Sequence, residues 1–216
     1  MIAAGVVTVA GTIVTRASYS GTGEINVTEN PNPWVSRAAL KLVHALEIFE
    51  LNPHGIAADI GASTGGFTEV LLARGAEQVH AVDVGHGQLH PRVAAMTGVK
   101  NHEGINARSL PDGLLPPLDW IVSDVSFISL TKALPPVLRL AKPGAYLIAL
   151  IKPQFEAGPA HVGKGGIVTD PAIHEEVQET IRAFLTGTGW QILGLTESPI
   201  TGSDGNREFL IAAQLT

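Results

Sequence analysis

The stretch that most constrains this chain is Ala57 to Thr68, A-A-D-I-G-A-S-T-G-G-F-T, where a short apolar run ends in an acid and passes into closely spaced glycines. The spacing predicts a strand, a tight loop and the start of a helix. Gly61, Gly65 and Gly66 tolerate positive φ and let a ligand approach the backbone, with Ala62 and Ser63 in the loop between them. The N–H groups of Gly66, Phe67 and Thr68 then point back at that loop from a helix start. A loop of this kind holds a cofactor or is an ordinary Gly-rich turn. The dinucleotide fingerprint G-x-G-x-x-G requires glycine at position 63, where this chain has Ser. Asp59 at the strand tip suits a ligand ammonium, as at the amino-acid end of S-adenosylmethionine, better than a pyrophosphate, which it would repel.

Residues downstream favour the cofactor. Asp83 ends the next apolar run, where doubly wound sheets place an acid for the ribose hydroxyls, and a strand-end turn is its alternative reading. Asn106, past the expected third strand, offers a donor and an acceptor to an adenine edge or serves a turn. Asp124 and Lys152 fall at the carboxyl ends of two further apolar strands, Asp119 to Val125 and Ala145 to Lys152, beside the crevice where open α/β sheets bind ligands. A lysine closing the run L-I-A-L-I needs an acid to restore its charge, so Asp124 and Lys152 read as a tuned pair or a structural salt bridge. The fold class expected is α/β, a doubly wound, mostly parallel, Rossmann-like sheet.

Around this core, Ser36 is placed to cap a helix running to about Glu50, with Leu42, Leu46 and Phe49 as its buried stripe and Arg37 and Lys41 on the opposite side. The long loop Pro153 to Asp170 carries Gly158, Gly163, Gly165 and Gly166 around Lys164, and loops of that length are usually functional. A helix from Pro171 to about Thr186, with Ile173, Val177, Ile181 and Phe184 inward, precedes two strands, Trp190 to Thr196 and Arg207 to Gln214, that suit antiparallel pairing. Upstream, Val6 to Thr15 and Glu24 to Glu29 read as short strands of a small β appendage, followed by the stiff linker Asn30-Pro31-Asn32-Pro33.

Composition excludes several chemistries. Without a cysteine there is no disulfide, no thiolate metal site and no thiol for the covalent adduct that methylation at pyrimidine C5 normally uses. No apolar run reaches the length of a spanning helix, so the chain reads as soluble and cytoplasmic. A net charge of -6 argues against an extensive nucleic-acid surface and leaves room for a local basic cluster.

Seven longer motifs are then recognisable: S-R-A-A-L-K-L at 36–42, D-I-G-A-S-T-G-G-F-T, A-V-D-V-G-H-G-Q-L at 81–89, S-D-V-S-F-I-S-L at 123–130, I-K-P-Q-F-E-A-G at 151–158, V-G-K-G-G-I-V at 162–168 and S-P-I-T-G-S-D-G-N-R-E-F-L at 198–210. In this order they resemble the TlyA (haemolysin A) family of ribosomal RNA methyltransferases, over residues 35 to 212. That family is similar to the FtsJ-like ribose 2′-O-methyltransferases, whose K-D-K-E tetrad carries over to Lys41, Asp124, Lys152 and Glu208. The resemblance implies S-adenosyl-L-methionine as cofactor, held by Asp59, Gly61, Ala62, Ser63, Gly65, Gly66, Phe67, Asp83, Asn106 and Asp124. It implies ribosomal RNA or ribosomal subunits as partner, met by Arg37, Lys41, Lys164 and Arg207, and no metal.

It also implies the division 1–30, part of an S4-type RNA-binding region; 31–35, linker; and 36–216, the catalytic domain. Ala38-Ala39 stands where the family commonly has two glycines. The segment before the linker carries Arg16 against Glu24 and Glu29, so weak RNA binding is expected of it. Lys152 is the candidate for the base or for the group that steers the hydroxyl. An exocyclic-amine methyltransferase is disfavoured because Asp124-Val125-Ser126-Phe127 replaces the N/D-P-P-Y/F loop of such enzymes. A membrane-lytic protein and a non-catalytic ribosome-assembly binder are the readings from other classes.

Overall fold

The computed structural model describes residue 2 and residues 6–16, 18–27, 32–202 and 204–216. The chain forms two units, residues 1–34 and residues 35–216. In the first, β1 (Val7–Val9), β2 (Thr12–Val14) and β3 (Ile25–Val27) make an antiparallel sheet in the order β2-β1-β3. Its β-branched residues divide, with Val7, Val9 and Val14 buried and Ile13, Ile25 and Val27 exposed. The strand expected to reach Glu29 is seen over Ile25–Val27; Thr28, Glu29, Asn30 and Pro31 lie outside the described residues, as does Ser203 in the later turn.

The second unit is built on β4 (Ile56–Ile60), β5 (Gln78–Asp83), β6 (Val99–Glu103), β7 (Leu118–Ser123), β8 (Ala141–Ile151), β9 (Trp190–Glu197) and β10 (Phe209–Leu215). These pair in the order β6-β5-β4-β7-β8-β10-β9. The first five run parallel, and β10 is antiparallel to both β8 and β9. This is the expected α/β sheet. Central strands read as unbroken apolar runs because both faces are covered, whereas β6, V-K-N-H-E, is half-exposed because it is an edge. Strand order reverses at β4, with β5 on one side and β7 on the other, and the crevice above such a switch point is where ligands of this architecture bind.

Helices α1 (Ala39–Ile48), α2 (Gly66–Ala73), α3 (Pro91–Ala94), α4 (Leu130–Ala133), α5 (Pro135–Leu138), α6 (Pro153–Glu156) and α7 (Pro171–Gly187) cover the sheet. In α7, Asp170 Oδ1 accepts from the Ala172 N–H at 2.9 Å and Pro171 sits where its missing N–H costs nothing. Its buried face is His174, Val177, Ile181 and Leu185, so the expected Ile173 and Phe184 flank the stripe. The loop after β8 is less irregular than expected, since α6 and two single 3₁₀ turns punctuate it.

Two expectations about α1 are corrected. Ser36 caps nothing: α1 starts at Ala39 with no side-chain cap, and the Ser36 hydroxyl is buried without a hydrogen-bond partner. Lys41 is not on the solvent side with Arg37. It is buried with Leu42, Ala45 and Leu46, because the inward face of α1 is centred one position earlier than its leucines suggest. Phe49 lies past the helix end and is only half-buried.

Candidate active site

The loop after β4 is shaped by its glycines and fixed from β5. Gly61 and Gly65 have φ of 84° and 92°, while Gly66 is already helical. A Cβ on Gly66 would lie 2.2 Å from Ser36 Oγ, so glycine here lets that hydroxyl approach the start of α2. A Cβ on Gly65 would strike Leu89, so that residue shapes the turn, and it lines neither of the cavities described below. Ser63 holds φ at 48° without being glycine. Its N–H donates to Asp83 Oδ2 at 2.8 Å, and Asp83 Oδ1 accepts from the Gly85 N–H at 2.7 Å. Asp83 therefore ties together the loops after β4 and β5.

Beyond this staple lies a cavity of about 520 Å³, lined by Gly61, Ser63, Asp83, Asn106 and the segment Asp124 to Ile128. Asn106 Oδ1 accepts from the Arg108 N–H at 3.0 Å, so its oxygen serves a turn while its amide hydrogens face no partner among the described residues. The turn reading of Asn106 is therefore the one its hydrogen bond shows, and its amide lines the larger cavity.

A smaller cavity of about 230 Å³ adjoins it, sharing Gly61, Ser63, Asp124 and Ser126, and reaches Asp59, Ser36, Arg37, Ala62, Phe67 and Lys152. Asp59 is fully buried in β4; its Oδ2 accepts from the Thr68 hydroxyl at 2.7 Å, and its Oδ1 has no partner. Burial pushes its pKa up to about 7; the Thr68 hydroxyl opposes this, and Asp124 and Asp83 add to it. Two buried oxygens without partners, Asp59 Oδ1 and Ser36 Oγ, thus border one cavity. An orphaned carboxylate oxygen calls for a cation or a donor.

At the top of β7 and β8 four charged groups meet. Lys152 Nζ lies 2.6 Å from Asp124 Oδ1 and donates to Ser126 Oγ at 2.8 Å. Lys41 Nζ donates to Glu208 Oε2 at 2.6 Å and stands 3.9 Å from Asp124 Oδ2. Topology brings them together: Asp124 and Lys152 follow adjacent parallel strands, and antiparallel β10 starts where β8 ends, with Phe209 paired to Ile151, so Glu208 arrives beside Lys152. Gly202 leaves the room, since a Cβ there would lie 2.8 Å from Glu208 Oε1. Two cations and two anions, three of the four residues buried, balance in charge, as such burial demands.

Residues 34–215 match the FtsJ-like methyltransferase family. The chain belongs to that family. It is 43% identical over 193 residues to the 16S/23S rRNA (cytidine-2'-O)-methyltransferase TlyA of Mycobacterium tuberculosis, covering 86% of this chain and 70% of that protein. It is 39% identical to Hemolysin A of Brachyspira hyodysenteriae, covering 97% and 89%. Among solved structures, a Lactococcus lactis protein that carries a hemolysin label superposes with a TM-score of 0.81 at 42% identity, covering 85% of this chain and 89% of that one.

Of the cations proposed for RNA in this FtsJ-like chain, Arg37 is exposed and borders the smaller cavity, and Lys164 is exposed in the Gly-rich loop. That loop is tethered by Asn206, which accepts from the Val168 N–H and donates to Gly166 O, both at 2.9 Å. Lys41 is corrected, since a buried ammonium held by Glu208 is not free to meet a phosphate. Arg207 is exposed but already committed in a bidentate pair with Glu197, at 2.9 and 2.6 Å. Sequence reasoning missed Ser36 and Ser126 as cavity residues. Both stood inside quoted motifs, and neither carries a local signal beyond that. Among the described residues no helix is long and apolar enough to cross a membrane.

Proposed function

We propose that this chain transfers a methyl group from S-adenosylmethionine to a ribose 2′-hydroxyl of ribosomal RNA, on cytidine as the name of its mycobacterial relative has it. The observation that carries the proposal is the cluster of Lys41, Asp124, Lys152 and Glu208 beside two joined cavities, one of which reaches a buried carboxylate with one oxygen left unpaired. The residues fit the cofactor. Asp59 Oδ1 would take its ammonium, Ser36 its carboxylate, Asp83 and Asn106 its ribose and adenine, with Gly61, Ala62, Ser63, Gly66 and Phe67 forming the wall and Gly65 turning the chain. When bound, S-adenosylmethionine supplies an electrophilic methyl: the ribose oxygen forms the new O–C bond as the C–S bond breaks, the electron pair leaves on sulfur as a neutral thioether, and the hydroxyl proton passes to a base.

The protein has two tasks left, alignment of the hydroxyl and acceptance or steering of its proton. Lys152 is suited to both, because it lines the smaller cavity and its ammonium is paired with Asp124. Lys41 and Glu208 act one step back, keeping Asp124 in place and the cluster neutral. Residues 1–30 are read as part of an S4-like RNA-binding region, 31–35 as its linker and 36–216 as the catalytic domain, with Arg37 and Lys164 nearest the RNA. Ribosomes as partner place its work in the cytoplasm.

The test is incubation with ribosomal subunits and S-adenosylmethionine, followed by nucleoside mass spectrometry and alkaline hydrolysis. A methylated ribose is expected, and the modified linkage should resist alkali because cleavage there needs a free 2′-OH. A methylated base beside an ordinary ribose, or no transfer, would overturn the proposal.

A further inference from the structure

Ser126 belongs to neither the glycine loop nor the charged tetrad, yet it lies at the wall the two cavities share and is exposed to them. An amine on a flexible four-carbon stem turns freely about Cε–Nζ unless its hydrogens are claimed. At Lys152 Nζ one hydrogen is claimed by Ser126 Oγ at 2.8 Å, while Asp124 Oδ1 stands at 2.6 Å as an ion-pair partner outside hydrogen-bond geometry. No other partner for Nζ exists among the described residues, and the lysine borders the smaller cavity. Lys41 differs, because its ammonium is held by Glu208 and it borders neither cavity.

We propose that Ser126 is a positioning residue whose hydrogen bond, beside the ion pair with Asp124, fixes the rotation of the Lys152 amine so that a free position faces the attacking hydroxyl. The inference rests on the reading of the site given above. It holds whether that free position carries a hydrogen that steers the oxygen or a lone pair that accepts the proton, since in both cases its direction follows from the Ser126 hydrogen bond and the Asp124 ion pair. The backbone supports such a role. Glu156, on the helix that begins directly after Lys152, accepts from the Leu130 N–H at 2.8 Å, so the loop carrying Ser126 and the segment carrying Lys152 are joined. Phe127, the next residue, is held at φ 64°, which turns the loop sharply at this point.

The experiment is single-turnover transfer to ribosomal subunits with labelled S-adenosylmethionine at saturation, together with cofactor calorimetry and thermal melting. Ser126→Ala should slow transfer by about 10- to 100-fold, the effect of losing one hydrogen bond to a charged group at the reacting centre. It should leave cofactor Kd within about twofold and the melting midpoint unchanged, since the serine anchors no backbone. Ser126→Thr, which keeps the hydroxyl, should recover most of the rate. An active wild-type chain with an equally active Ser126→Ala variant overturns this inference alone. So does a loss shared by cofactor affinity or melting that threonine does not restore, because it assigns the serine to binding or packing. No transfer by the wild-type chain overturns the function proposed for the site, and this inference with it.

Discussion

Strands β7 and β8 carry an Asp–Lys pair at each end, and the two pairs differ in almost everything except composition. At the start of the strands Asp119 binds Lys142 at 2.9 and 2.8 Å and also accepts from the Ile56 N–H at 2.9 Å. Burial alone would raise the Asp119 carboxyl; the Ile56 N–H and the Lys142 ammonium outweigh it and hold the group below its ordinary value. Lys142 is 42% exposed, so its remaining hydrogen meets solvent, and both Asp119 oxygens are paired. At the other end Asp124 and Lys152 are largely shielded, Lys152 has a position to spare, and the neighbouring Asp59 Oδ1 has no partner. An ion pair is thus weak evidence of a site. Incomplete satisfaction beside a cavity is the better sign.

The largest test of the contrast is truncation of each lysine. Lys152→Ala should reduce methyl transfer by about 10³-fold, within the range removed with a positioned proton-transfer group, and leave cofactor affinity nearly intact. Lys142→Ala should leave transfer within about twofold and cost roughly 0 to 1 kcal/mol of stability, since its pair is screened by solvent. Comparable loss of transfer in the two variants, by radiolabel incorporation, would make the top pair as structural as the bottom one.

Asp59 sharpens the comparison through pH. Its folded pKa of about 7 lies above the ordinary 3.8, so the folded state binds the proton more tightly than the unfolded chain. Between about pH 4 and pH 7 stability therefore falls as pH rises, and above 7 the whole penalty is present. Asp59→Asn should remove that slope and raise stability at pH 8 by an amount on the order of 4 kcal/mol. It should also weaken cofactor binding by roughly tenfold or more, because the amide cannot pair with an ammonium. For the unsubstituted chain, cofactor affinity should fall as pH drops below about 7. Melting curves and calorimetry across pH 5 to 9 check both; parallel stability profiles of the two proteins would show that Asp59 is ionised without cost.

What the sequence made legible follows from how local each signal is. The glycine loop, Asp83 and the strand-ending Asp124 and Lys152 are read from short-range pattern, and the fold places them at one crevice. Glu208 was reachable only through resemblance, because its partner Lys41 is far away in sequence and meets it through antiparallel pairing of β10 with β8. Lys41 sits on the inward face because that face of α1 is centred one position earlier than its leucines suggest, and the acid that holds it there is one that no helical period reveals. Ser36 looked like a cap because Ser before an apolar helix usually is one, but the helix starts later and frees the hydroxyl for the cavity.

The smallest expected effect concerns committed and uncommitted cations on the surface, and repeats the lesson of the two lysines in RNA binding. Each cation that neutralises a phosphate adds about 0.7 to 0.9 to the slope of log K against log salt. Lys164 and Arg37 are exposed and should contribute in that range. Arg207 must first release Glu197, whose carboxyl is held below its ordinary value by the Arg207 side-chain hydrogen bonds, so the counterion it exchanges is partly a neighbouring side chain. Arg207→Gln should therefore flatten the salt slope by less than about 0.5, against about 0.7 to 0.9 for Lys164→Gln. Glu197→Gln, which frees the arginine, should steepen the slope and tighten binding slightly. Salt titrations of ribosomal RNA binding for these three variants decide the matter: equal flattening by Arg207→Gln and Lys164→Gln, with no response to Glu197→Gln, would mean that RNA displaces the glutamate without cost and that the bidentate pair does not restrain Arg207.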